Sequence, residues 1–260
     1  MPLNLPVRHN EKLHTVQERI NADEELHQLW RCANVNVVDR LGMSDHGEVH
    51  IRIVANAALK LLRLLLDGGI SPSIVSDYGA LGLGPNDAEV VVVLAACLHD
   101  LGISVHRDEH ELYSLILALP KIRELLDGLY GVTERAVMQS ETLHAMVAHQ
   151  WEVRCLTLEA GVVKVADALD MTQGRSRIPF EAGTTNIHSV SAAAIDAVTL
   201  TKGESKPIRV AIKMSNSAGI FQVDELLKRK LRHSTIAPYV EVVAHIEGET
   251  EKRLLELYTL

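Results

Sequence analysis

Residues 90–104 read VVVVLAACLHDLGIS, and this stretch decides the fold. Four valines alone suit a strand. Ala95, Ala96, Cys97 and Leu98 continue the apolar run, however, and its length favours a helix buried on all sides. His99 and Asp100 close that helix, and Gly102 stops it. An ionised aspartate there is costly unless it is paired or bound to a metal.

Helical periodicity extends outward from this run. Residues 24–35 form a short amphipathic helix. A long one runs from Asp45 to Leu66, with Val49, Ile53, Ala57, Leu61 and Leu64 at three- and four-residue steps. Asp45 or Ser44 is the expected cap at its start, and Gly68-Gly69 its stop. Residues 68–88, rich in Gly, Ser and Pro, predict a long loop of a kind that is often functional. Asn86 or Asp87 is the expected cap of the central helix. Further helices are expected at about 108–118, 121–130, 133–150 and 156–171, and Gly174 and Pro179 close the helical region. Beyond it, 187–200, 208–214 and 239–246 read as strands, and 219–232 as an amphipathic helix. The fold class is mainly α: an all-helical domain over residues 1–180 with a small α+β accessory domain over residues 181–260. No internal repeat is found.

Composition narrows the function. The chain has 260 residues and a formal net charge of −8, which makes duplex DNA a poor partner. Its three cysteines form no CxxC pair, so neither a disulfide framework nor a zinc ribbon is expected. With no apolar leader and no membrane-length apolar run, the expected compartment is the cytoplasm. Histidine is over-represented: of the 13 in the chain, seven lie from His46 to His149. Histidine is the commonest metal ligand.

Two of these histidines draw together with two carboxylates. His50 lies near the start of the long helix, His99-Asp100 ends the buried one, and Asp167 sits mid-helix among apolar residues in VVKVADALDM. A nitrogen and oxygen donor set without cysteine suits Mn, Fe, Co, Ni or Mg better than structural zinc. No GxSxG elbow is present, which agrees with attack by water rather than by a serine.

The ordered set His50, His99-Asp100, Asp167 resembles the HD-domain superfamily of metal-dependent phosphohydrolases over about residues 44–177. The resemblance implies an all-helical fold and a first divalent ion held by His50, His99, Asp100 and Asp167. His110 in RDEHELYS and His149 in MVAHQWE resemble the extra ligands of two-metal members, with Asp100 bridging. His144 competes with His149. The two are five residues apart, about 140° round a helix, so both do not easily face inward. The family context favours His149. An arginine after ADxxD often faces the pocket in resembling proteins, which points to Arg175 and Arg177, and arginine suits phosphate as a bidentate donor. Lys164 lies on the face of Asp167 and is read as neutralising charge near it. Arg107 and His106 lie between two ligand regions, the first as a contact for an anionic substrate and the second as a proton donor. His46, one turn before His50, is either an outer group of the site or a neighbour of the helix cap.

The implied activity is cleavage of a phosphate ester or anhydride, with a nucleotide as the leading small substrate and two divalent ions (Mn, Fe, Co or Mg) as cofactors. The sequence departs from the cyclic-di-nucleotide branch. LGIS follows the doublet, Gln150 follows His149, and no GYP triplet is present, which argues against that substrate. A mixed-valent di-iron oxygenase and a non-catalytic nucleotide or metal sensor are the competing readings. Exposed strand edges in the C-terminal unit suggest a homodimer. GALGLG at 79–84 reads as a loop, and KRKLR at 228–232 as positive charge favoured at a helix end.

Overall fold

The computed structural model describes residues 2–172 and 191–247, and the backbone of residues 257–259. Its centre is the apolar run, which forms helix α5 (Pro85–Leu98) with every residue from Asp87 to Leu98 buried. Around it pack α1 (Glu11–Ala22), α3 (Glu48–Asp67), α7 (Val132–Ala148) and α8 (Leu158–Ala168). A helix with no polar face is stable only when other helices cover it all round.

The ends of these helices follow local chemistry. Asn10 caps α1 by accepting from Leu13 N, and Asp23 caps α2 (Glu24–Asn34) by accepting from Leu26 N. α1 was not among the expected helices; Leu13, Val16 and Ile20 form its buried stripe. α2 continues into a π-helical turn, Val35–Arg40. Asp45 stands just before α3, and its Oδ1 accepts from the backbone of Gly47 and His50. At α5 the cap is Gly84 rather than Asn86 or Asp87. Pro85 occupies the first helical position, and Asp87 reaches back to accept from Gly84 N at 2.8 Å.

Two local expectations change. The stretch 68–88 is not all loop, because it contains α4 (Ser73–Tyr78) and a 3-10 turn, Gly79–Leu81. The start of α4 is held from afar, by Glu159 accepting from Ser73 N and Ile74 N. Secondly, Pro120 does not divide two helices. α6 runs unbroken from His110 to Leu125. Buried Ile122 and Leu125, with Lys121 paired to Asp23, Glu25 and Glu124, offset the backbone bond that proline removes.

The C-terminal unit is a four-stranded sheet of order β1-β2-β3-β4, formed by Ile195–Lys202, Ile208–Met214, Val240–Ile246 and Leu257–Thr259. β1/β2 and β3/β4 are antiparallel, whereas β2/β3 are parallel. A parallel pair needs a crossover. Here it contains a π-helical turn, Gln222–Lys228, running into α9 (Arg229–Arg232). The first strand begins at Ile195, later than expected, and residues 187–190 of that expectation lie outside the described residues, as do Gly174 and Pro179. The inner faces of β2 and β3 join the same apolar cluster as the helices, and α9 packs on α8. That contact carries a side chain of the C-terminal unit into the helical centre. Among the described residues, no helix is long and apolar enough to cross a membrane.

Candidate metal centre

The end of α5 is the focus of the site. Gly102 follows the doublet, and a Cβ there would run into the backbone of His110 and Ser114. Only glycine allows α6 to approach so closely. Ser114 stitches the contact, donating to His99 O at 2.6 Å and accepting from Gly102 N at 2.8 Å. His110 is thereby fixed beside Asp100.

His50 from α3, His99 and Asp100 from the end of α5, His110 opening α6, His149 closing α7 and Asp167 from α8 converge in one buried cluster. Asp100 lies at its centre and divides it. Its Oδ2 is 3.4 Å from His50 Nε2 and 3.3 Å from His99 Nε2. Its Oδ1 is 3.2 Å from His110 Nε2 and 3.7 Å from His149 Nε2. Asp167 Oδ1 completes the first half, 3.5 Å from His50 Nε2 and 3.9 Å from His99 Nε2.

The outer nitrogens decide whether this cluster fits a cation. His50 Nδ1 lies 2.7 Å from Asp170 Oδ2, His99 Nδ1 lies 2.9 Å from Ala96 O, and His149 Nδ1 contacts Met146 O. Each acceptor calls for a proton on Nδ1, which leaves Nε2 a bare lone pair. Two such lone pairs, on His50 and His99, then face each other at 3.4 Å beside two carboxylate oxygens. In that neutral form nothing within the set donates, and either a proton taken up by an imidazole or a positive ion between the four atoms removes the repulsion. Ligand atoms bound to one ion at about 2.0–2.2 Å stand roughly 3–3.5 Å apart, close to the spacing found. Fixing Nδ1 on a carboxylate or carbonyl is also how metal-binding histidines are oriented. His110 Nδ1 lies 3.0 Å from Arg107 O and 2.8 Å from Arg107 Nη1; the carbonyl calls for a proton on Nδ1 and the guanidinium, which only donates, for a bare one, so these contacts suit either tautomer. The donors therefore fit a divalent ion, and three overlapping sets of them lie close enough together to hold one: His50, His99 and Asp100; His99, His149 and Asp167; Asp100, His110 and His149.

The electrostatics agree with a cation site. Burial pushes the Asp100 carboxyl up, but His99, His110 and His50 outweigh it and hold its pKa well below the usual range. Asp167 is likewise held well down against burial, by Lys230 first and then the histidines. His149 is pushed well below its usual value by burial and then by His99. Ionised carboxylates and a neutral imidazole are the forms that bind metal.

The remaining sequence candidates scatter. His46 is buried at the edge, its ring centroid 5.3 Å from that of His50 and its Nδ1 2.7 Å from Ser44 O. Arg107 sits behind His110 with its Nε buried and unpaired among the described residues. His106 is set apart from the cluster, its side chain 64% exposed, and accepts from Asp108 N; proton donation from it has no geometric basis here. Lys164 corrects its reading as well. Its Nζ turns away from Asp167 and donates to Val153 O at 2.5 Å, and burial lowers its pKa to about 8. His144 accepts from Leu156 N at 3.1 Å, outside the cluster. Arg175 and Arg177 lie outside the described residues.

Two site residues escaped the sequence reading. Asp170 carries a signal, because it follows Asp167 by one helical turn in ADALD. Lys230 is 63 positions from Asp167, inside a basic run that a helix end accounts for. Yet its Nζ makes a short buried ion pair with Asp167 Oδ2, the neutralising contact expected of Lys164.

Comparison with known proteins agrees with this geometry. The HD-domain family model matches residues 49–172. An uncharacterized protein of Methanocaldococcus jannaschii, MJ1020, is 43% identical over 235 residues, which cover 90% of this chain and 89% of the relative. That similarity therefore extends past the family match into the C-terminal unit. No solved structure matches.

Proposed function

The chain belongs to the HD-domain superfamily, and from that premise we propose that it is a metal-dependent phosphohydrolase. Its substrate is a small phosphorylated molecule, with nucleotides the first class to try, and the bond cleaved is a phosphate ester or anhydride. The observation that carries this reading is the position of Asp100, whose two oxygens face two separate histidine sets. Divalent ions held there would supply Lewis acidity and would lower the pKa of a bound water. The chain's own residues do the rest. Asp170 holds the His50 ring in its tautomer. Ala96 O and Met146 O do the same for His99 and His149. Arg107, behind His110, adds positive charge on the side of the second set, which favours a substrate oxyanion.

The test is phosphate release from nucleoside mono-, di- and triphosphates and simple phosphate esters, with Mn, Fe, Co or Mg supplied in turn. We expect release with at least one metal, and none with chelator or in Asp100→Asn. No release from any substrate with any metal overturns the reading. Oxygen uptake by the iron-loaded protein in its place would select the di-iron oxygenase.

A further inference from the structure

The C-terminal unit reaches the metal centre through α9, and the residue that arrives is Lys230. Its side chain is buried and contacts Asp167 Oδ2, while Asp167 Oδ1 faces His50 and His99. The indole of Trp151, two residues beyond His149, lies 5.5 Å from the Lys230 ammonium and 5.3 Å from the Arg229 guanidinium. The aromatic face steadies the lysine. The ammonium thus borders both halves of the cluster, through Asp167 on one side and the His149-Trp151 corner on the other.

Lys230 neutralises Asp167, and that pairing also sets its charge beside the metal-fitting set. Asp167 belongs to a set that fits a divalent cation, and an ammonium at its back repels that cation. The arrangement makes sense when an anion shares the positive charge. An ammonium has three N–H donors. Among the described residues, one hydrogen-bond acceptor, Asp167, is recorded for it, which leaves donors for a ligand.

We infer that Lys230 is a phosphate ligand, an ammonium supplied by the C-terminal unit that takes an oxygen of the phosphoryl group presented at the metal centre. The inference rests on the phosphohydrolase reading and deepens it: the helical domain holds the metals, and the C-terminal unit completes the anion site.

The experiment measures inorganic phosphate binding to the full-length, manganese-loaded protein by calorimetry, for the wild type, Lys230→Met, Lys230→Gln and Lys230→Arg. Metal content and thermal unfolding are recorded on the same samples. We expect Lys230→Met to keep its manganese and bind phosphate about 10- to 100-fold more weakly, the range for a charge-assisted hydrogen bond. Lys230→Arg should stay within a few-fold of the wild type. Should Lys230→Met not fold, Lys230→Gln, which keeps a donor but not the charge, makes the same comparison. Unchanged phosphate affinity in the neutral variants overturns the inference. So does loss of manganese in step with phosphate, which would make Lys230 a support for Asp167 only. A wild type that binds no phosphate with metal in place overturns it too. None of these readings needs turnover. An active enzyme indifferent to Lys230 therefore sinks this inference alone, and an inactive protein that binds phosphate through Lys230 sinks the hydrolase alone.

Discussion

His50 and Asp170 are joined by a buried hydrogen bond of 2.7 Å from Nδ1 to Oδ2, which aims His50 Nε2 at Asp100 and Asp167. Removing the carboxylate frees the ring to rotate and to change tautomer. Asp170→Ala should weaken binding at the His50–Asp167 half about 10- to 100-fold. Asp170→Asn, which can still accept from Nδ1–H, should weaken it less. Manganese titration followed by electron paramagnetic resonance reads this directly, and equal affinity in Asp170→Ala and wild type would refute it.

Gly102 governs the other half. A methyl group at that position runs into the backbone of His110 and Ser114, so α6 has to move. Gly102→Ala should destabilise the fold by about 1–3 kcal/mol and reduce metal content through displaced His110. Chemical denaturation with metal analysis tests both effects. A stable variant with full metal content would show that α6 can shift without cost to the site.

The metal-free protein should be acid-labile, and the sign follows from three groups. His149 has its pKa lowered by burial and then by His99. The unfolded chain therefore takes up a proton near pH 6.5 that the folded chain refuses, and stability falls as pH drops below that value. Asp100 and Asp167 are lowered too, against their burial, Asp100 by the histidines that touch it and Asp167 by Lys230 first. Their stabilisation is complete above about pH 4 and is lost as pH falls through the folded values. Thermal unfolding of chelator-treated protein from pH 8 to 4 should show a falling midpoint that begins below about pH 6.5. His149→Gln should remove that first part. A midpoint flat down to pH 5 would contradict the assignment.

How much of this was legible in the sequence depended on distance along the chain. Residues 90–104 contain both the buried helix and the doublet, so a single window gives fold and chemistry together. His50 and Asp167 show themselves as polar residues on apolar helices. α4 does not, because its start is held by Glu159, 86 positions from Ser73, and no local pattern encodes that partner. Lys164 and Lys230 show the same limit. Helical spacing correctly places Lys164 three residues from Asp167, but burial and Val153 turn its amine elsewhere. Lys230 enters through the α8–α9 contact, for which neither periodicity nor composition offers a sign.

The two lysines should consequently behave differently. Burial lowers Lys164 to about 8, with Lys230 acting in the same sense and Cys155 opposing. A lysine depressed in the folded state penalises folding while the unfolded amine is charged. The penalty is full below about pH 8 and fades as pH rises towards 10.4. Wild-type stability should therefore gain a component between pH 8 and 10 that Lys164→Met lacks, with metal content unchanged in the variant. Urea unfolding across that range checks the first claim and elemental analysis the second. Metal loss in Lys164→Met would place the lysine within the site after all.

Metal stoichiometry separates one ion from two. Asp100 spans the cluster, so protein purified without chelator should carry about two divalent ions per chain. On the two-ion reading the halves share Asp100 but no histidine. His110→Ala or His149→Ala should therefore leave about one ion, on His50, His99, Asp100 and Asp167, whereas Asp100→Asn should lose both. Each bound ion should also raise stability, by about 2.7 kcal/mol at a free concentration one hundred times its dissociation constant, so the unfolding midpoint should fall in two steps across the series. Elemental analysis of the four proteins, with their melting curves, gives both numbers. One ion per chain in the wild type, unaffected by changing His110 or His149, would confine the centre to its first half and leave Oδ1 of Asp100 hydrogen-bonded to histidine alone.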